Sequence, residues 1–419
     1  NKLKFAFSFK KIMKNIHVPY GCTVHGEEEI AAVTEVLRTS TQMGKNVREM
    51  EERIAKLFDK KHGIMVNSGS SALYIAVEIL NLPKGSEVIT PALTFATTVA
   101  PQIKNGLIPV LVDVEPGTYC IDADKVEEMI TDKTSALIIP NLIGNVPDWD
   151  KLAALAKKYD LKIIEDSADT LGGTINGEST GKHSDISITS FYGSHVINAA
   201  GNGGMLCVND DKLNDKARLL RSWGRSSSLF VESEKIENRF NVQVDGMDYD
   251  AKFVFEALGY NLEPSEMGAA FGLVQLGKLD YNITEREKNF DYMTNFFKQY
   301  KDWFILPKQF PNSRTGWLAY AITITDAAPF TRKEFQIFME KRNIQTRTVF
   351  TGNIARQPLF KTVDFRIAEE GCKHADDVMR GGVLLACHHG LTDAMREAIT
   401  KNAAEFLGQF KYLEHSLLC

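Results

Sequence analysis

Short β-branched and apolar runs recur through the first half of the chain, at residues 64–66, 87–90, 110–112, 136–139, 162–164, 186–189 and 205–208. Between several of them lie stretches with apolar residues three and four apart, at 71–80, 124–130 and 150–159, and this spacing predicts helices. The alternation predicts an α/β fold: a mostly parallel seven-stranded sheet with helices on both faces. Ligands of such sheets sit beyond the carboxyl ends of the strands, so the residues just after each run are the ones to inspect. Residues 226–252 are polar and irregular and predict a long loop or insertion. A helix is predicted over 264–279, opening at Pro264 and carrying Met267, Phe271 and Val274 on one face. Beyond it helices mix with strand-like runs at 318–324 and 346–350. The expected division is an N-terminal arm or helix (1–30), a large domain (31–279) and a smaller α/β C-terminal domain (280–419).

Composition narrows the function classes. With 44% hydrophobic and 25% charged residues, the 419-residue chain reads as globular, and its length allows two domains. A net charge of -5 argues against a nucleic-acid-binding surface. No apolar run approaches the roughly 20 residues that cross a bilayer, so no membrane partner is expected. The six cysteines (Cys22, Cys120, Cys207, Cys372, Cys387, Cys419) form no CxxC or CxC pair. That spacing predicts neither a disulfide framework nor a metal site, and it suits the cytoplasm. The first twenty residues are basic and Phe-rich but lack an apolar signal core and a small-residue cleavage site.

Three segments could carry chemistry. Asn67-Ser68-Gly69-Ser70-Ser71 stands between a strand and a helix, where glycine permits a tight turn and free N–H groups suit a phosphate. A plain serine cap would read the same way. Glu165-Asp166-Ser167-Ala168-Asp169 places acids directly after a buried strand, where one could hold the proton of a heteroaromatic nitrogen or merely cap the next helix. Ser190-Phe191-Tyr192-Gly193-Ser194-His195 precedes the glycine-rich turn Gly201-Asn202-Gly203-Gly204. A histidine there suits proton transfer near neutral pH, although a structural histidine is commoner. His388-His389 matches no usual metal spacing and reads as structural.

Taken together, these segments resemble the DegT/DnrJ/StrS family of nucleotide-sugar aminotransferases, over residues 18–413. Matching segments also occur at 90–98, at 259–267, which contains Asn261, and from Arg347 to Asn353. The resemblance implies the aspartate-aminotransferase-like fold (type I of the pyridoxal-phosphate enzymes), and a homodimer that shares its active sites. At the position of His195 the family normally has the lysine that binds pyridoxal phosphate covalently. Histidine there, with an acid at Asp169 in place of the common glutamine, marks the subgroup of 3-dehydratases in 3,6-dideoxysugar biosynthesis. The implied substrate is a GDP- or CDP-linked 4-keto-6-deoxyhexose; the cofactor is non-covalent pyridoxamine or pyridoxal phosphate.

By the same resemblance His195 is the catalytic base. Asp166 holds the pyridine nitrogen, Asp169 faces the ring hydroxyl, and Phe95 stacks on the ring. Gly69, Ser70 and Ser190 hold the phosphate, and Asn261 reaches the phosphate of a neighbouring subunit. Arg347 and Asn353 line the sugar pocket. Two departures stand out. Members that use a reductase carry iron–sulfur cysteines just after the segment matching residues 221–225, where this chain has Ser226-Ser227-Ser228. The implied type is therefore cluster-free, with its amine regenerated from glutamate. The family's GEGG turn also carries Asn202 in place of Glu.

Overall fold

A computed structural model describes residues 16–230 and 232–416, with side chains to residue 410, so most of the basic N-terminal segment lies outside the described residues. All seven predicted runs are strands: β1 His62–Val66, β2 Glu87–Pro91, β3 Ile108–Val112, β4 Thr134–Pro140, β5 Lys162–Ser167, β6 Ile186–Ser190 and β7 Gly204–Val208. Their order across the sheet is β1-β7-β6-β5-β4-β2-β3. Only β7 runs against its neighbours. An eighth, two-residue strand, Arg366–Ile367, extends the expected seven by pairing parallel to β3. It returns from the part of the sequence expected to form the smaller domain.

Both faces of the sheet are covered because alternate strand residues are apolar in both directions. On one face Ile64, Val66, Ile138, Ile164 and Ile188 pack with Leu73, Ala76 and Val77 of helix α3 (Gly69–Leu80). On the other, Met65, Met205 and Cys207 meet Val47, Met50 and Ile54 of α2 (Lys45–Leu57), which follows α1 (Glu27–Thr39). Further along that face Leu137, Ile139 and Ile163 pack on Trp149 and Leu152 of α5 (Trp149–Tyr159), which follows α4 (Ala96–Lys104). The start of α2 is capped from far away in sequence. The buried Glu266 carboxylate accepts from the Gly44, Asn46 and Val47 amides and from Asn46 Nδ2.

Three expectations are corrected. Residues 124–130 make only a short 3-10 turn, Glu127–Met129. The Asp122 carboxylate and carbonyl take the Asp124 and Lys125 amides, an arrangement that competes with a helix. The helix expected from Pro264 is α7 (Glu266–Gly277), following α6 (Asp211–Arg221); Ser265 Oγ caps it by accepting from Gly268 N, leaving Pro264 outside. Residues 346–350 form no strand beyond a single bridge between Arg347 and Leu384. Glu340 takes the Thr346 amide, and Phe350 adopts a positive φ of 41° that breaks extended geometry.

Helix α8 (Leu279–Phe297) leads into an antiparallel sheet of Phe304–Ile305, Ala319–Ile324 and Gly382–Ala386. Its core is aromatic, with Phe290 stacked on Trp317 at 4.1 Å and Phe297, Tyr320, Phe335 and Phe406 around them. The predicted loop at 226–252 holds a 3-10 turn, one helical turn (Ile236–Arg239) and a small hairpin, Val242–Val244 with Met247–Tyr249.

Candidate active site

The carboxyl ends of β1, β2, β4, β5 and β6 open on one edge, and the sheet brings Gly69, Asp166, Ser190 and His195 there. Helix α3 begins with Ser68 as its cap, accepting from Ser71 N at 3.1 Å. The Gly69 and Ser70 amides precede the first intrahelical bond, Ala72 N to Ser68 O, so they face outward as donors. A Cβ on Gly69 would lie 2.6 Å from Ser190 Cβ, and one on Gly204 would lie 2.3 Å from Ser68 O. Glycine at both positions keeps open a cradle floored by α3 and walled by Ser190.

Asp166 is the last residue but one of β5 and is 5% exposed. Thr98 Oγ1 donates to its Oδ2 at 2.9 Å and Ala168 N to its Oδ1 at 3.2 Å. Burial outweighs both bonds and raises its pKa to about 6. Asp169 is raised further, to about 7, by burial and then by Asp166, against one bond from Ile143 N to Oδ2 at 2.9 Å. Ile143 supplies that amide from a left-handed conformation, φ 61°, uncommon for a β-branched residue and costing about 1–3 kcal/mol. Its carbonyl is held in turn by Leu318 N at 2.9 Å.

His195 closes the turn after β6. Its amide donates to Tyr192 O at 3.0 Å, and its Nδ1 lies 3.2 Å from Ser190 O. A carbonyl only accepts, so the neutral ring carries its proton on Nδ1 and leaves Nε2 as the free base. Nε2 faces Asp169 Oδ1 at 4.0 Å, beyond hydrogen-bond reach. Burial, joined by the Arg286 charge and opposed by the bond to Ser190, lowers the His195 pKa to about 4. At neutral pH the ring is therefore an uncharged proton acceptor.

Phe95 caps α4 and is 53% exposed, its ring centroid 6.0 Å from that of Phe350. The turn from Arg347 to Asn353 packs beside it, through a bridge from Leu93 to Asn353 and a bond from Thr351 Oγ1 to Thr94 O. Within that turn Arg347 is exposed, whereas Asn353 is buried, with its Oδ1 on Ala355 N and its Nδ2 on Asp376. Asn261 is exposed on a single bridge to Ser222, and none of its bonds joins it to His195 or Asp169.

Two residues beside the histidine escaped the sequence reading. Tyr20 lies under the Arg347 guanidinium at 5.4 Å, and burial followed by the Asp169 charge pushes its phenol pKa up. Arg286, wholly buried on α8, donates to the Ser194 and His195 carbonyls. The signal for Arg286 was a polar stripe (Asn282, Arg286, Asn289) at helical spacing within an otherwise apolar helix face.

A pyridine cofactor with a phosphate fits these residues. Its anionic end would enter the glycine-floored cradle, and Asp166 is deep enough to hold a ring proton. Phe95 leaves a ring face free above.

The chain matches the DegT/DnrJ/EryC1/StrS aminotransferase family over residues 23–403. It belongs to that family. The dTDP-4-dehydro-2,6-dideoxy-D-glucose 3-dehydratase of Saccharopolyspora spinosa is 34% identical, over 93% of this chain and 86% of the relative. Among solved structures, E. coli GDP-4-keto-6-deoxy-D-mannose-3-dehydratase with bound hydrated PLP has TM-score 0.83 and 26% identity, covering 93% of this chain and 99% of that one. A GDP-4-keto-6-deoxymannose-3-dehydratase with a trapped PLP-glutamate geminal diamine has TM-score 0.82 and 26% identity, covering 91% and 99%. The fold is that of the PLP-dependent aminotransferases, and relatives include both sugar dehydratases and aminotransferases. Among the described residues no helix is long and apolar enough to cross a membrane.

Proposed function

We propose that this protein is a 3-dehydratase that removes the C3 hydroxyl of a nucleotide-linked 4-keto-6-deoxyhexose, GDP- or CDP-linked, in 3,6-dideoxysugar biosynthesis in the cytoplasm. The observation that carries the reading is His195. By the family resemblance it stands where the family has its Schiff-base lysine, and its Nε2, left unprotonated by the contact of Nδ1 with Ser190 O, faces Asp169. Neither of the two lysines nearest it in sequence among the described residues replaces it: Lys182 is tied to Glu178 at 2.7 Å and Lys212 lies on α6. Pyridoxamine phosphate, held non-covalently, would supply the amine that joins the sugar's ketone and the ring that takes up electrons.

Gly69, Ser70 and Ser190 hold the phosphate end, Phe95 covers the ring, and Asp169 lies beside the ring hydroxyl. Asp166 holds a proton on the ring nitrogen. His195 Nε2 would accept a proton, and with no lysine amine at this position to return it to the sugar, departure of the 3-hydroxyl as water would be favoured over transamination. Arg347 and Asn353 belong to the sugar pocket, and Asn261 of each subunit serves the phosphate site of the other in a homodimer. Glutamate restores the amine. Overall, glutamate becomes its 2-oxo acid, ammonia is released and the sugar loses one oxygen. The serines at 226–228 support a route without an iron–sulfur cluster.

The test is mass spectrometry of products from purified protein given pyridoxamine phosphate, glutamate and GDP-, CDP- or dTDP-linked 4-keto-6-deoxyhexoses. A product one oxygen lighter with its ketone retained is expected. A product with an amine in place of the ketone would overturn the reading.

A further inference from the structure

The catalytic turn is gripped from behind by one helix. Asn282 Nδ2 donates to Val196 O at 2.9 Å, and one turn later Arg286 Nη2 donates to Ser194 O at 3.2 Å and His195 O at 3.0 Å. Three successive carbonyls of the turn are thus fixed by residues four apart on α8. Arg286 Nη1 reaches Trp317 O at 2.8 Å and Leu318 O at 3.4 Å, and its Nε donates to His389 Nδ1 at 3.2 Å. A guanidinium has five N–H donors, and here five acceptors meet it. Among the described residues no carboxylate forms an ion pair with it, and burial lowers its pKa to about 10. A lone buried cation is costly. An apolar side chain would leave four carbonyls and His389 Nδ1 without a donor, so what the guanidinium supplies is a fixed geometry for the carbonyls it binds.

We propose that Arg286 is a positioning residue for His195, locking the 194–195 carbonyls so that Nδ1 stays on Ser190 O and Nε2 faces the reacting edge. The proposal rests on His195 being the base. Leu318, whose carbonyl Arg286 also touches, donates to Ile143 O, and Ile143 N donates to Asp169. The same guanidinium therefore ties both sides of the His195–Asp169 pair to one frame. The titratable and charged groups facing His195 are Asp169, Arg286 and, edge-on at 5.9 Å, Tyr192; those facing Arg286 are His388, His389, Tyr20 and Cys387.

The test compares the wild type with Arg286→Lys and Arg286→Met, following the His195 ring by nitrogen-15 NMR without substrate. Wild-type His195 is expected as the neutral Nδ1–H tautomer across neutral pH. Arg286→Lys keeps the charge but has three donors on one atom, too few to span both carbonyl pairs. It should show a mixed tautomer and a fall in kcat of about tenfold or more with little change in KM. Arg286→Met should fall further and raise the pH at which His195 protonates, and Arg286→Lys carries the test if the methionine variant does not fold. An unchanged tautomer and unchanged kcat in a folded variant would overturn the proposal, even if melting temperature dropped. Because the NMR readout needs no turnover, its failure is separable from a failed product assay.

Discussion

Asp169 carries opposed demands on one carboxyl: it is buried beside a second acid, yet a strained amide is spent on it. With a pKa of about 7 against roughly 3.9 when unfolded, its ionisation costs stability. The contribution is fully present below the unfolded value and is lost as pH rises through about 7. Asp169→Asn should therefore match the wild type near pH 4 and exceed it above pH 7 by a few kcal/mol, since each unit is worth about 1.4 kcal/mol. Thermal melts across that range check this, and coincident curves at pH 8 would contradict it. At His195 the expected outcome is kinetic. His195→Asn should retain pyridoxamine phosphate but lose solvent exchange of the cofactor's C4′ proton, measured by deuterium incorporation; retained exchange would remove His195 from the reaction. The sequence singled out His195, Asp166 and Asp169 because they stand at or within a few residues of the carboxyl ends of β5 and β6, and their roles came only with the family resemblance. Arg286 and Tyr20 were not legible there, since each reaches the site from more than ninety residues away and carries no motif.

At the scale of elements, the strands were readable because buried parallel strands are short continuous apolar runs, whereas the failures lay where side chains compete with backbone. Asp122 undid a helix, and Glu340 with a left-handed Phe350 undid a strand. The turn between β1 and α3 is a case in which sequence and geometry agree closely. Gly69 is required by its approach to Ser190, so Gly69→Ala must displace that hydroxyl or the start of α3. Pyridoxamine phosphate should then bind at least about tenfold more weakly, a loss of about 1.4 kcal/mol, with the fold intact by circular dichroism. Fluorescence titration measures it, and wild-type affinity would count against the cradle as the phosphate site.

The whole molecule is held by contacts between distant parts of the chain, which periodicity does not reveal. Glu266 fastens the start of α2 across more than two hundred residues. Glu266→Ala strips four donors of their acceptor and should destabilise the protein by about 2–4 kcal/mol in urea, with the midpoint lowered and the slope unchanged. A change below about 0.5 kcal/mol would show that water replaces the carboxylate freely. The eighth strand and the 18–24 segment are of the same kind. Val18 pairs with Ile344, Pro19 O meets His388, and Gly21 lies so close to Ser194 that a Cβ there would clash. The first described residues thus pass directly over the turn that carries His195 before α1 begins. For anyone preparing the protein, this decides where a purification handle belongs. An amino-terminal handle and its linker have to leave residues 18–21 and their contacts with Ser194, His388 and Ile344 undisturbed, so kinetic work calls for cleaving such a handle away.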